Sequence, residues 1–214
     1  MIKDLEFVQY ITARFCHDLA GALGAIYNGI EFLESNESEV RSKAMDLVKV
    51  SSKQANATLK FLRNAYGIAK YEGDADISQI KEICTDMLLG SNISMDFLIP
   101  NSSQPDGAID VNLGKLLLCV IALAKSSLIY GGNIKVSSSK NDGGKFMLEV
   151  WANGKDIKIK SDLNDIISGQ YNSSDIGATN VNAYYINRLM NSLNVDINIQ
   201  EERGAIIYII SKRK

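Results

Sequence analysis

The sequence predicts an α+β protein: an N-terminal antiparallel helical hairpin that pairs with a second copy into a dimeric four-helix bundle, followed by a small mixed α/β sandwich. Three observations carry that expectation. Apolar residues recur at steps of three and four from Leu5 to Ala69, the period of an amphipathic helix. The segment EGDAD, residues 72–76, then breaks the pattern. Beyond it, short helical and strand signals alternate up to a closing hairpin, as helices packed on one face of a sheet require.

The elements follow in order. Leu5, Val8, Ile11, Phe15, Leu19, Ala22, Leu23, Ile26, Ile30 and Leu33 mark one long helix. SNES, residues 35–38, supplies turn and capping chemistry. A second long helix then carries Val40, Ala44, Leu47, Val48, Ser51, Ala55, Leu59, Leu62, Tyr66 and Ala69. Two such helices alone leave much of their stripes wet, whereas two hairpins together bury them, which predicts a homodimer. The pattern divides the chain into residues 1–71, the hairpin, and 77–214, the sandwich. Within the second part we expect helices over about 78–89, 112–129, 163–168 and 180–193. Strands are expected over 93–99, 134–138 and 146–151, the last of these after the turn NDGG, and a hairpin pairs 195–201 with 205–211 around Arg203 and Gly204.

Composition narrows the function. A chain of 214 residues, 46% apolar and with a net charge of −2, suits one substantial core or two small ones in a soluble protein. The opening MIKDLEFVQYITARF has charges early and no uninterrupted apolar run, so neither a signal peptide nor a membrane span is expected and the location expected is the cytoplasm. Cys16, Cys84 and Cys119 show no paired CxxC spacing, which argues against a disulfide framework or a zinc site. With one histidine, His17, a histidine-rich metal centre is excluded. Scattered lysines and arginines, clustered only at Lys212, Arg213 and Lys214, lack the footprint of a nucleic-acid binder. Proteins or small molecules remain as partners, with no membrane.

His17 sits in RFCHDLAGAL, residues 14–23. With Phe15 at zero on a helical wheel, the apolar stripe lies within roughly 80° and His17 at about 200°, facing away from the core. Its neighbours on that outer face are Ala13, Ala20, Gly21, Gly24 and Asn28, a patch almost without side-chain bulk. Gly21 and Gly24 each cost a helix interior about 1 kcal/mol relative to alanine, which calls for an offsetting use. One reading is a surface histidine with incidental glycines. The other is a nucleophilic imidazole over which the cleft of another protein descends, the small residues making room for docking. A histidine ring is nucleophilic when neutral, and its reference pKa of about 6.5 leaves most of it so at cytoplasmic pH. Asp18 orients the ring or stabilises charge on it, or is a surface charge; adjacent helix positions do not face one another, so a contact needs a favourable rotamer. A cysteine enzyme using Cys16 with His17 lacks a third orienting residue, and Cys16 also reads as a small residue beside the packing stripe.

The run Phe15-Cys16-His17-Asp18-Leu19-Ala20-Gly21-Ala22-Leu23-Gly24-Ala25-Ile26 resembles the phosphoacceptor box of histidine kinase dimerisation domains. More closely, HDLAGALGAIYNGIEFL resembles the ChpT-type histidine phosphotransferases, which relay phosphoryl groups between receiver domains. In that family a helical hairpin precedes a histidine-kinase-like α/β domain, the element order expected here. One departure is Ala22, where both groups commonly carry a helix-bending proline.

The resemblance also locates the places where a kinase would hold ATP. In ALAKSSLIYGG, residues 122–132, Ala122 and Ser126 stand at the two asparagine places of the N-box, so the metal-binding amide is missing. Ser126 otherwise reads as a buried helix residue. In WANGKDI, residues 151–157, Ala152 replaces the adenine-binding acid and Asp156 a glycine, although Asn153-Gly154 is first of all a turn. In ATNVNAYYINRLM, residues 178–190, Ala178, Asn180 and Asn182 fill the glycine places whose backbone would cradle phosphates. No long segment serves as an ATP lid. The resemblance thus implies a homodimeric phosphotransferase in which His17 passes a phosphoryl group from the receiver of a hybrid kinase to response regulators, with no cofactor of its own and Mg²⁺ held by the receiver. An ATP-dependent kinase and a non-catalytic dimeric scaffold are the alternatives.

Overall fold

The computed structural model describes residues 2–67, 75–99, 109–140 and 146–213. The turn NDGG, most of EGDAD, Ala69 and Lys214 lie outside the described residues.

Helix α1 spans Asp4–Phe32 and α2 spans Ser38–Tyr66. At the start of α1 the Lys3 N–H donates to Glu6 Oε2 at 3.1 Å, and Asp4 and Glu6 place negative charge against the positive end of the helix. The helix runs unbroken through Ala22. Near the hairpin's closed end α1 and α2 meet at Gly29, which is buried; a Cβ there would stand 2.6 Å from Val48 Cγ2 and 3.3 Å from the Ala44 carbonyl oxygen. The stripe that periodicity places on one face is only partly covered by the chain itself: Leu5, Val8, Leu23 and Ile30 on α1, and Leu47 and Leu59 on α2, are exposed, as is Val50 outside the stripe.

The rest of the order is α3 (Ile77–Met87), β1 (Ile93–Phe97), α4 (Val111–Ser127), β2 (Gly132–Lys140), β3 (Phe146–Asn153), α5 (Ser161–Ser168), α6 (Val181–Leu193), β4 (Val195–Glu202) and β5 (Ala205–Lys212). A single turn of 3₁₀ helix, Ser173–Asp175, precedes α6. The sheet order is β1-β2-β3-β5-β4; β1 runs parallel to β2 and every other pairing is antiparallel. The expected boundaries shift by a few residues: β1 leaves the sheet at Phe97 two residues early, while β2 extends to Lys140 because β3 pairs along its full length. Asp76 caps α3 by accepting from Ser78 N–H at 2.8 Å, which makes the end of the breaker the start of a helix.

Ile134, Val136, Leu148, Val150, Ala152, Ile206, Tyr208 and Ile210 line one face of the sheet. Over it lies α4, apolar almost all round and buried from Leu116 to Ile121, because sheet, α6 and α2 surround it. The C-terminal end of α2 joins the same core through Phe61, Leu62 and Ala65. Rings extend it toward α1: Phe15 and Tyr66 lie 4.9 Å apart between centroids, as do Tyr66 and Tyr185. Lys115 Nζ donates to the Gly67 carbonyl at 2.6 Å across the same junction. The hairpin is thus fastened to the sandwich, and α1 is held beside α2 and α6. Among the described residues no helix is long and apolar enough to cross a membrane.

Candidate functional site

His17 stands on α1 with its side chain 82% exposed, which leaves the ring open to a partner. Ala13, Ala20, Gly21, Gly24 and Asn28 are all exposed, and nothing lies within 4 Å of the place a Cβ would take at Gly21 or Gly24. The histidine therefore projects from a strip of bare backbone. Cys16 is exposed too, while Cys84 and Cys119 are buried and all three thiols are free.

Asp18 adopts the rotamer that reaches its neighbour: Oδ1 lies 3.3 Å from His17 Nδ1. A carboxylate only accepts, so this contact is a hydrogen bond when Nδ1 carries the proton, and in that tautomer Nε2 has the free lone pair. The other oxygen, Oδ2, accepts from Arg14 Nε at 3.0 Å. Arg14 was not among the candidates read from the sequence, although its spacing of four from Asp18 is the signal that finds it.

Behind Asp18 a cleft of about 220 Å³ opens between the hairpin and the sandwich, lined among others by Ala22, Gln54, Thr58, Asp86 and Lys125. Lys125 Nζ donates to the Met87 carbonyl at 2.6 Å. Burial pushes its ammonium below the ordinary lysine range, and the Asp18 carboxylate opposes that shift. Lys60 ties α2 to α3 through Glu82 at 2.7 Å and Asp86 at 3.1 Å. Lys125 and Asp18 line the same cleft although they stand 107 positions apart in the chain, so only the folded structure brings the two together. Among the described residues no group of three His, Cys, Asp or Glu side chains gathers as metal ligands would.

Residues 78–204 match the histidine phosphotransferase C-terminal domain. The chain belongs to that family. The protein phosphotransferase ChpT of Brucella abortus (strain 2308) is 26% identical over 209 residues, covering 97% of this chain and 96% of that protein. The solved structure of a bacterial phosphotransferase shares the fold at a TM-score of 0.84, with 23% identity, over 99% of this chain and 98% of that one. This histidine phosphotransferase is therefore ChpT-like over both its hairpin and its sandwich, and His17 lies N-terminal to the span the family domain defines.

The phosphotransferase uses Asn180 and Asn182 in internal hydrogen bonds. Asn180, buried, accepts from Gly177 N–H at 2.8 Å and donates to the Asp175 carbonyl at 2.9 Å, closing the loop before α6. Asn182 Oδ1 accepts from the Tyr66 hydroxyl at 2.7 Å, locking α6 to the end of α2. Ala152 is fully buried within β3 between Ile134 and Ile206. Asp156 has φ of +52°, the left-handed conformation in which glycine is easiest. Ser126, expected in the interior, is exposed; it lies at the end of α4 and its hydroxyl returns to the Leu123 carbonyl at 2.7 Å.

Proposed function

We propose that this ChpT-like phosphotransferase relays a phosphoryl group from the aspartate of a receiver domain, that of a hybrid histidine kinase, through His17 to the aspartate of a response regulator, without ATP. The observation that carries the reading is the open imidazole: exposed, standing among residues without bulk, with Nδ1 turned toward Asp18 and Nε2 toward solvent. Nε2 attacks the phosphorus of the aspartyl phosphate in line, the P–O bond breaks, and its electron pair leaves with the receiver's carboxylate. The reverse displacement hands the group to the next receiver. Positioning supplies much of the rate in such a transfer.

The Mg²⁺ that neutralises the phosphoryl oxygens comes with the receiver, whose own carboxylates hold it. Ala13, Ala20, Gly21, Gly24 and Asn28 form the floor on which the receiver docks. ATP independence draws its support from Ala122, Ser126, Ala152, Asn180 and Asn182, none of which offers an N-box amide, an adenine-binding acid or a glycine backbone. Residues 1–71 serve as the dimerisation and phosphoacceptor domain and 77–214 as a docking domain. The exposed Leu5, Val8, Leu23 and Ile30 on α1, with Leu47, Val50 and Leu59 on α2, favour a homodimer whose second hairpin covers them. We place the relay in the cytoplasm.

Two radiolabelled donors, ATP and a phosphorylated receiver domain, test the reading side by side. Label is expected from the receiver and not from ATP. Label taken directly from ATP would make the protein a kinase, and signalling unchanged in His17→Ala would make it a scaffold.

A further inference from the structure

We propose that Arg14 is a positioning residue for the reaction at His17: it holds the Asp18 carboxylate in the orientation that keeps the ring proton on Nδ1 and leaves Nε2 to attack. The inference rests on His17 being the phosphoacceptor and adds what controls its tautomer.

Residues 14 and 18 lie one turn apart on the same side of α1, whereas 17 and 18 point about 100° apart. Asp18 has to lean to reach the ring, and a half-buried carboxylate still has other rotamers open to it. Arg14 narrows the choice. With Oδ2 accepting from its Nε at 3.0 Å, Oδ1 is left 3.3 Å from His17 Nδ1. The arginine side chain is itself partly covered, at 36% exposed.

Helix stabilisation does not account for the pair. A base four residues before an acid is the less favourable order along a helix, and mid-helix positions gain little from the helix ends. The pair has a consequence for the chemistry instead. When Nε2 forms its bond to phosphorus, the P–O bond to the receiver's aspartate breaks and the electron pair leaves as carboxylate. The Nδ1 proton stays on the ring, and Asp18 accepts its hydrogen bond as the ring becomes more positive. If the carboxylate swings away, the ring can carry its proton on Nε2, where no lone pair remains for attack.

Because His17 is the only histidine, ring nitrogen-15 resonances report its tautomer without overlap. In the neutral ring of the full chain we expect the Nδ1–H form to dominate in the wild type, to lose ground to Nε2–H in Arg14→Met, and to be regained in Arg14→Lys, which can still donate to Oδ2. In parallel, phosphotransfer from a phosphorylated receiver should slow about tenfold in Arg14→Met, the loss falling on kcat with KM for the receiver unchanged. A wild type that accepts phosphoryl while Arg14→Met keeps its tautomer and its rate overturns the role of Arg14 alone. A wild type that accepts none overturns the phosphoacceptor reading and this inference with it. Far-ultraviolet circular dichroism and the urea midpoint establish that both variants are folded.

Discussion

The Tyr66 hydroxyl donates to Asn182 Oδ1 at 2.7 Å, joining the last turn of the second helix to the first turn of the sixth across 116 positions of sequence. Both side chains are partly buried, so losing the hydroxyl leaves an acceptor without its partner. Tyr66→Phe should lower stability by about 1–2 kcal/mol, and Tyr66→Ala, which also removes the ring between Phe15 and Tyr185, by about 3–5 kcal/mol. Urea unfolding checks both; an unshifted midpoint in Tyr66→Phe would show that the bond contributes nothing in solution.

Three glycines of one helix should respond oppositely to the same change. Gly21→Ala and Gly24→Ala meet open space and should each stabilise by up to about 1 kcal/mol. Gly29→Ala drives a methyl to 2.6 Å from Val48 Cγ2, on a stiff β-branched side chain, and should destabilise by about 1–3 kcal/mol. Gly24→Leu should leave fold and oligomeric state intact while slowing phosphotransfer by about a hundredfold, since it displaces the docked receiver. Melting, mass and initial rate read these outcomes. A monomeric or unfolded Gly24→Leu would mean that Gly24 serves helix packing.

Burial pushes the thiols of Cys84 and Cys119 up to about 12 and the phenols of Tyr185 and Tyr208 up to about 12. In the unfolded chain these groups lose their protons from about pH 9 and 10. Between those values and 12 the native state therefore binds more protons than the unfolded state, and stability falls as pH rises. The contribution is fully present below about pH 8 and fades above 9. A urea midpoint measured from pH 7 to 11 should fall over the upper half of that range; a midpoint that holds to pH 11 would contradict the burial of these groups. A thiol reagent at pH 8 should meanwhile find Cys16 alone in the folded protein and all three cysteines in denaturant.

What could be read in advance followed period and punctuation. The spacing of Leu5 through Leu33 located the first helix, and the same wheel put His17 on the outer face, because both depend only on residues close in sequence. Residue identity alone could not separate Gly29 from Gly21 and Gly24: their difference is whether a second helix crosses there, which the spacing of one helix does not encode. Lys125 and Tyr66 escaped for a related reason, since each reaches the Asp18 neighbourhood by tertiary packing. Arg14 was within reach, since its spacing of four from Asp18 is a local signal. Ser126 misled because its helix is apolar almost to the end, and the last turn emerges from the core just before Leu128.

The most direct test of the central claim is to incubate the protein with a phosphorylated receiver domain, then determine the acid and base stability of the phosphate on the chain and the residue that bears it. Phosphohistidine at His17 predicts phosphate that is lost in acid, persists in base, passes to a second receiver and is missing from His17→Ala. Phosphate that survives acid, that remains in His17→Ala, or that never arrives from several authentic receivers would contradict the relay.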